Sequence, residues 1–303
     1  MTIYIDPPRW PAHGTMFSHL ISDASLAELH AFADRAGISA RAFDRDHYDV
    51  PQQRRQELLS AGARPVSAGA LTRILAASGL RIPASARPEK LRPRLRTMWD
   101  KLLPDTGSVA DELLERWAEP HRHYHGLVHL AAVLREIGTL ERAGELRGAA
   151  DPDGTAASRV RLAAWFHDAV YRGAAGTDEQ DSADLASHLL GPHMPARAVD
   201  DVVRLVLLTT DHVVEADDAA GSVLSDADLA VLGAEPRTYE RYAANVREDF
   251  AHVPEPDFRR GRAQVLDGLL ARTPLYATET GRRRWEPAAR ANMLAELSAL
   301  RGA

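Results

Sequence analysis

Apolar positions alternate in twos only at the start of this chain and recur every three or four residues through most of its remaining length. Residues 1–6 read as a short strand, with Ile3, Tyr4 and Ile5 β-branched or aromatic, and Pro7, Pro8 and Pro11 then break it into a loop that ends near Gly14. Ser25 followed by Glu28 is a capping box that opens an amphipathic helix over 26–36, stopped by Gly37. A second helix is predicted over 51–60, with Gly62 at its end, and a strand over 63–66. Ser67 caps a third helix over 70–77, ended by Gly79. Strand, helix, strand and helix in so short a span predict a small α/β module over 1–82. Residues 83–94 hold three prolines, are basic and poor in apolar residues, and read as a linker.

From 95 to 303 the pattern is helical. Leu102, Val109, Leu113, Leu114 and Trp117 share one helical face, and Leu127, Leu130, Val133, Leu134 and Ile137 share another. Further helices are expected over 160–170, 182–190, 198–208, 239–250, 258–270 and 288–300, with loops over 144–157 and 214–223 and no strand. The expected class is α+β overall, a small α/β module followed by an all-α region.

Composition narrows the picture modestly. The 303 residues are 45% hydrophobic and 26% charged, as in an ordinary globular protein, and are enough for two domains. A net charge of −6 weighs against nucleic acid as a partner, though a local basic face would change that. No apolar run is long enough to cross a bilayer, so no membrane partner is expected, and the N-terminus lacks the order of a signal peptide. The cytoplasm is the expected location. With no cysteine, disulfides, iron–sulfur ligation and a cysteine nucleophile are excluded.

The chemistry lies in three apolar helical stretches. The first, Arg-His-Tyr-His-Gly-Leu-Val-His, ends on His129; the second, Ala-Trp-Phe-His-Asp-Ala-Val-Tyr, holds His167 and Asp168; the third, Leu-Ser-Asp-Ala-Asp-Leu, holds Asp226 and Asp228. Each has an ordinary reading, since a histidine on an apolar face can be a core residue. But a buried Asp without a cation or hydrogen-bond donors would cost several kcal/mol. Imidazoles and carboxylates together suit a divalent ion such as Mn, Mg, Ni, Co, Fe or Zn.

These stretches resemble the HD-domain metal-dependent phosphohydrolases over residues 95–302, in the branch with Tyr-His-x-x-x-His, Phe-His-Asp-x-x-Tyr and Asp-Ala-Asp-Leu motifs. The resemblance implies a helical bundle with a metal at its centre, ligated by His129, His167, Asp168 and Asp228, with Asp226 in reserve as the last ligand. It implies hydrolysis of a small phosphorylated substrate, a nucleotide among the candidates. Asp168 would bind metal and orient the nucleophile, and Glu179 would be a general base or proton relay, or else a helix cap. His212 is a candidate for a second metal or for phosphate, with an exposed helix end as its other reading. Thr210 stands where some relatives carry a lysine. His125, one turn before His129, and Arg122 could greet a phosphate, Arg122 by a bidentate fork, with a solvated surface position as the other reading of Arg122. His121 and His123 read as surface residues.

Two other functions stay open: a nucleotide-sensing regulator with a degenerate helical domain, and a di-iron oxygenase, for which His125 and His212 are the only additional histidines at hand. The first eighty residues resemble a small bacterial domain of unknown function, DUF4031, through Ile-Tyr-Ile-Asp-Pro-Pro-Arg-Trp-Pro, Phe-Ser-His-Leu and Asp-His-Tyr-Asp-Val-Pro. That likeness carries no activity. Asp6, His13, His19, Asp46 and His47 are candidates for a second site there, with plain surface residues as the alternative.

Overall fold

The computed structural model describes residues 2–81, 87–146, 155–174 and 176–302. The chain divides into two compact units, Met1–Ala84 and Ser85–Ala303.

The N-terminal unit is built on a six-stranded sheet. Its strands are β1 (Ile3–Ile5), β2 (Trp10–Ala12), β3 (Thr15–Ser22), β4 (Phe43–Asp44), β5 (His47–Pro51) and β6 (Arg64–Pro65). They run in the order β4-β5-β3-β1-β6, with β2 folded back on the start of β3; only the β1–β6 pair is parallel. Helices α1 (Leu26–Arg35), α2 (Arg55–Ser60) and α3 (Ala68–Ala77) complete it. Ser25 caps α1 by accepting from the Glu28 N–H, and Ser67 caps α3 by accepting from the Ala70 N–H.

Side-chain alternation gives the sheet two faces. One carries Ile3, Ile5, Leu20, Tyr48 and Val50, packed with Leu29 and Phe32 of α1 and Leu58 of α2. The other carries Tyr4 and Ile21, covered by Leu71 and Leu75 of α3. β3 is the longest strand, yet the residues after Gly14 show no strand signal in the sequence. Ser18 and Ser22 are buried alongside Leu20 and Ile21, so polarity does not alternate along it.

The second unit is helical, with no strand among the described residues. Its helices are α4 (Pro88–Leu102), α5 (Gly107–Arg116), α6 (Leu127–Ala143), α7 (Ala156–Phe166), α8 (Thr177–Leu190), α9 (Ala196–Leu208), α10 (Ala219–Asp228), α11 (Pro236–Asp249), α12 (Glu255–Ala271), α13 (Glu279–Arg284) and α14 (Glu286–Gly302). A turn of 3₁₀ helix, Leu229–Gly233, comes after α10. No helix among the described residues is long and apolar enough to cross a membrane.

α7 is the central element, packed by α4, α6, α8, α9 and α10. Leu162 to Phe166 are buried without a break, the pattern of a helix with no solvent face. Two indoles brace it: Trp99 meets Trp165 edge-on, and the Trp117 Nε1–H donates to the Trp165 carbonyl at 2.9 Å.

Several boundaries differ from those the sequence predicts. α4 takes in residues 88–94 of the expected linker, because Pro88 stands in the first turn of the helix, where a missing N–H costs nothing. Pro93 lies inside the same helix. Residues 83–86 of that linker, and 147–154 of the loop expected over 144–157, lie outside the described residues. Leu102 ends α4 rather than sharing a helix with Val109, which belongs to α5. The acidic loop expected over 214–223 gives way to α10 at Ala219, where the Asp218 carboxylate caps the helix by accepting from the Gly221 N–H. α7 stops at Phe166, so His167 and Asp168 stand at the helix end, where the chain turns and both side chains can face one point.

Candidate metal centre

Three elements converge at the end of α7. His129 projects from the first turn of α6, His167 and Asp168 come directly after α7, and Asp228 closes α10. The Nε2 atoms of His129 and His167 lie 3.1 Å apart. Asp168 Oδ2 is 3.6 Å from the first and 3.2 Å from the second. Asp228 Oδ1 is 3.0 Å from His129 Nε2 and 3.5 Å from His167 Nε2. Ligands bonded at about 2.1 Å lie about 3.0 Å apart at an octahedral cis edge and about 3.4 Å apart at a tetrahedral one, so these spacings suit one cation.

His129, His167 and Asp168 form a cluster that could hold a metal ion. The tautomer fits as well. His167 Nδ1 lies 2.9 Å from the Ala164 carbonyl, which can only accept, so Nδ1 carries a proton and Nε2 can offer its lone pair.

The electrostatics describe a site short of positive charge. Burial disfavours ionisation of Asp168 and Asp228, but the facing imidazoles outweigh it and hold both carboxyls below their usual range. Burial lowers the pKa of His129, whereas at His167 the two carboxylates overcome burial and raise it.

Asp226 belongs elsewhere. It is fully buried and accepts from the Ala277 N–H at 2.8 Å, the Thr278 N–H at 2.8 Å and the Thr278 hydroxyl at 2.6 Å. It ties α10 to the start of α13, and both of its oxygens are engaged there.

The Arg122 guanidinium does not greet a ligand. It is buried and donates to the carbonyls of His125 at 3.2 Å, Asp168 at 2.6 Å and Ala169 at 3.0 Å, with Nε on Glu119 at 2.9 Å. It is a clamp on the turn that carries the His-Asp doublet. Sequence suggests a phosphate contact because carbonyl acceptors leave no trace in it.

His125 does face the open side of the site. Its Nδ1–H donates to Asp249 at 2.7 Å, and its ring stacks on Tyr171 at 4.2 Å. Asp249 also accepts from the backbone N–H groups of His123 and Tyr124, which fixes the loop before α6. Nothing in the sequence marks Asp249, which ends α11 far along the chain. His212 has a left-handed backbone (φ 52°), a strained conformation for a histidine. Its Nδ1 lies 3.1 Å from the Ser225 hydroxyl and its Nε2 3.5 Å from Asp228 Oδ2, the oxygen other than the one facing the two histidines. It is half-buried rather than an exposed helix end. His121 and His123 are exposed.

A cavity of about 780 Å³ opens over the cluster. Its lining combines Asp168, Asp228, His125 and His212 with Val246, Phe250, Val253, Phe258 and Val265. Glu179 borders it while capping α8, where it accepts from the Gly176 N–H at 2.6 Å. Arg262 also borders it but is engaged by Glu296 through two bonds, at 2.8 and 3.1 Å. The Tyr171 ring lies in its wall, and the hydroxyl is buried with no hydrogen-bond partner among the described residues.

In the N-terminal unit, Asp6, His19 and His47 come together with Asp46 and Asp49, whereas His13 stands apart, exposed and in edge contact with Phe17. Asp49 is not evident from sequence because its place depends on the pairing of β3 with β5. No curated protein and no solved structure matches the chain. Residues 3–78 match the family model described as "Protein of unknown function (DUF4031)", a match that covers the N-terminal unit and leaves the helical unit outside it.

Proposed function

We propose that the helical unit is a metal-dependent phosphohydrolase acting on a small phosphate ester. The observation that carries this reading is the meeting of His129, His167, Asp168 and Asp228 beside a ligand-sized cavity that the two carboxylates line. The motif resemblance to the HD-domain phosphohydrolases points the same way. When bound there, a divalent cation supplies Lewis acidity toward water and toward a phosphoryl oxygen.

The protein's own groups divide the remaining work. His129 and His167 present imidazole nitrogens, and Asp168 and Asp228 present carboxylate oxygens. Arg122 fixes the backbone of Asp168, so the doublet is held before ligand arrives. His125, with its Nδ1–H held by Asp249, presents an Nε2 that can accept a proton, and His212, with Ser225 on Nδ1, presents an Nε2–H that can donate to a phosphoryl oxygen. The Tyr171 ring stacks on His125 and helps to hold it, while its hydroxyl is buried away from a ligand. Glu179 keeps its Gly176 N–H bond and stands at the rim, a relay for protons only if that cap opens.

The balance of charge limits the substrate. Asp168, Asp178, Glu179, Asp228 and Asp257 border the cavity, and Arg262 beside them is already paired. A highly charged polyphosphate is poorly served, whereas a monophosphate ester with an apolar or aromatic body suits the valines and phenylalanines of the lining. The test is a panel of aryl phosphates, nucleoside monophosphates and nucleoside triphosphates with Mg²⁺, Mn²⁺, Co²⁺ and Ni²⁺, comparing wild type with Asp168→Ala. Metal-dependent release of phosphate from monophosphates, abolished by the substitution, is expected. Metal retention without turnover of any ester would overturn the hydrolytic reading and favour a sensor.

A further inference from the structure

The N-terminal sheet gathers a second set of donor atoms that the helical site does not involve. β3 and β5 pair so that His19 lies opposite Asp49, and the two-residue period of a strand puts His47 on the same face. α3 packs on this face at Tyr4 and Ile21. Beyond that cover, Asp49 Oδ1 lies 3.7 Å from His19 Nε2 and 3.5 Å from His47 Nε2. One donor atom from each residue lies within 4.8 Å of the other two. Four-coordinate ligands at about 2.1 Å stand about 3.4 Å apart, so the set closes on a cation with small rotations.

A second feature points to a ligand. Each histidine is turned by its own buried aspartate: His19 Nδ1 meets Asp6 Oδ2 at 3.2 Å, and His47 Nδ1 meets Asp46 Oδ1 at 2.6 Å. Asp6 and Asp46 are only 1% and 2% exposed. Asp6 is itself fixed, since its other oxygen accepts the His19 N–H at 2.6 Å. A carboxylate on Nδ1 fixes the tautomer that leaves Nε2 free to ligate, the arrangement found behind metal-binding histidines. A plain ion-pair network needs no such agreement. Here two separate carboxylate–imidazole pairs, on two strands, aim both Nε2 atoms at the same oxygen.

We infer that His19, His47 and Asp49 form a divalent-metal site in the N-terminal unit, oriented by Asp6 and Asp46 and independent of the helical centre. Two imidazoles and one carboxylate suit zinc and its first-row neighbours. Three protein ligands leave at least one position open, as in catalytic rather than structural sites. The opening faces solvent: Asp49 is 44% exposed, and the Trp10 ring, 5.3 Å from His19 and half in solvent, makes a flat apolar edge beside it.

The probe is Zn²⁺ alone, titrated against a chromophoric chelator with the full chain, in wild type and in a His167→Ala background that disables the helical cluster. The site predicts one tight zinc per chain in that background. Asp49→Asn, at an exposed position that leaves the fold intact, should weaken it by at least about a hundredfold, and His47→Ala should do the same. Asp46→Asn retains all three ligands and should weaken binding roughly tenfold to a hundredfold. Circular dichroism checks folding, and Co²⁺ visible absorption that disappears in Asp49→Asn gives a second readout. If His167→Ala is unstable, the same result reads as one zinc fewer in Asp49→Asn than in wild type. Zinc binding unaffected by Asp49→Asn and His47→Ala, or no tight zinc beyond the helical site, would overturn the proposal and leave the helical reading untouched.

Discussion

Arg122 offers a sharp separation between a structural role and a ligand-binding one. Its guanidinium is buried, and three of its bonds go to the main-chain carbonyls of His125, Asp168 and Ala169. The fourth partner, Glu119, is 38% exposed, so that ion pair contributes at most about 1 kcal/mol. The carbonyl bonds are charge-assisted and sheltered, each worth about 1.5–3 kcal/mol before losses to non-additivity. Arg122→Ala leaves those carbonyls unpaired and should cost about 3–5 kcal/mol. Arg122→Lys keeps the charge but not the planar fork; an ammonium reaching one or two carbonyls should recover part of this, leaving a loss of about 2 kcal/mol. Urea unfolding followed by tryptophan fluorescence is the assay, because Trp99, Trp117 and Trp165 are all buried in the helical unit. Metal affinity, measured in parallel, should fall in both variants because the Asp168 backbone is released. If stabilities stay within about 0.5 kcal/mol of wild type while substrate KM rises, the clamp is refuted and Arg122 is a phosphate contact after all.

Single side chains elsewhere in the helical unit give further expectations. Tyr171→Phe should leave metal content and kcat/KM unchanged and stability equal to wild type or higher by up to about 1 kcal/mol, because the buried hydroxyl has no hydrogen-bond partner among the described residues; a loss of stability in urea would instead place its partner in the protein. Asp226→Ala should destabilise the helical unit by about 3 kcal/mol in urea, since it strands two N–H groups and a hydroxyl. Bound metal should be retained by this variant under native conditions, whereas Asp228→Ala should lose metal and keep most of its stability.

The legible part of the site was the part written in side-chain types. His129, the His167–Asp168 doublet and Asp228 stand out because charged or imidazole groups sit in apolar helical surroundings, and their convergence needs only that helices pack. What the sequence withheld depends on backbone acceptors and on distant partners. Arg122 looks like an anion contact because its three carbonyls are invisible in a string of letters. Asp249 orients His125 across 124 residues, and no local pattern reports that pairing. The apolar periods reveal α6 and α9, but not α13, too short to repeat, nor the end of α7, which decides where the doublet points. In the N-terminal unit, β1 and the helices are legible from caps and prolines. β3 is not, because polar Ser18 and Ser22 are buried in it, and without β3 the partnership of His19 with Asp49 has no basis.

Counting ions decides whether the helical cluster is a metal centre. Asp49→Asn and Asp49→Asn/His167→Ala proteins, the first substitution silencing the N-terminal sheet cluster, would be dialysed to equilibrium against micromolar Mn²⁺ and their bound metal determined by elemental analysis. A cluster that binds metal through His167 gives one ion per chain in the first protein and none in the second, with helix content equal by circular dichroism. Equal metal in both would contradict it.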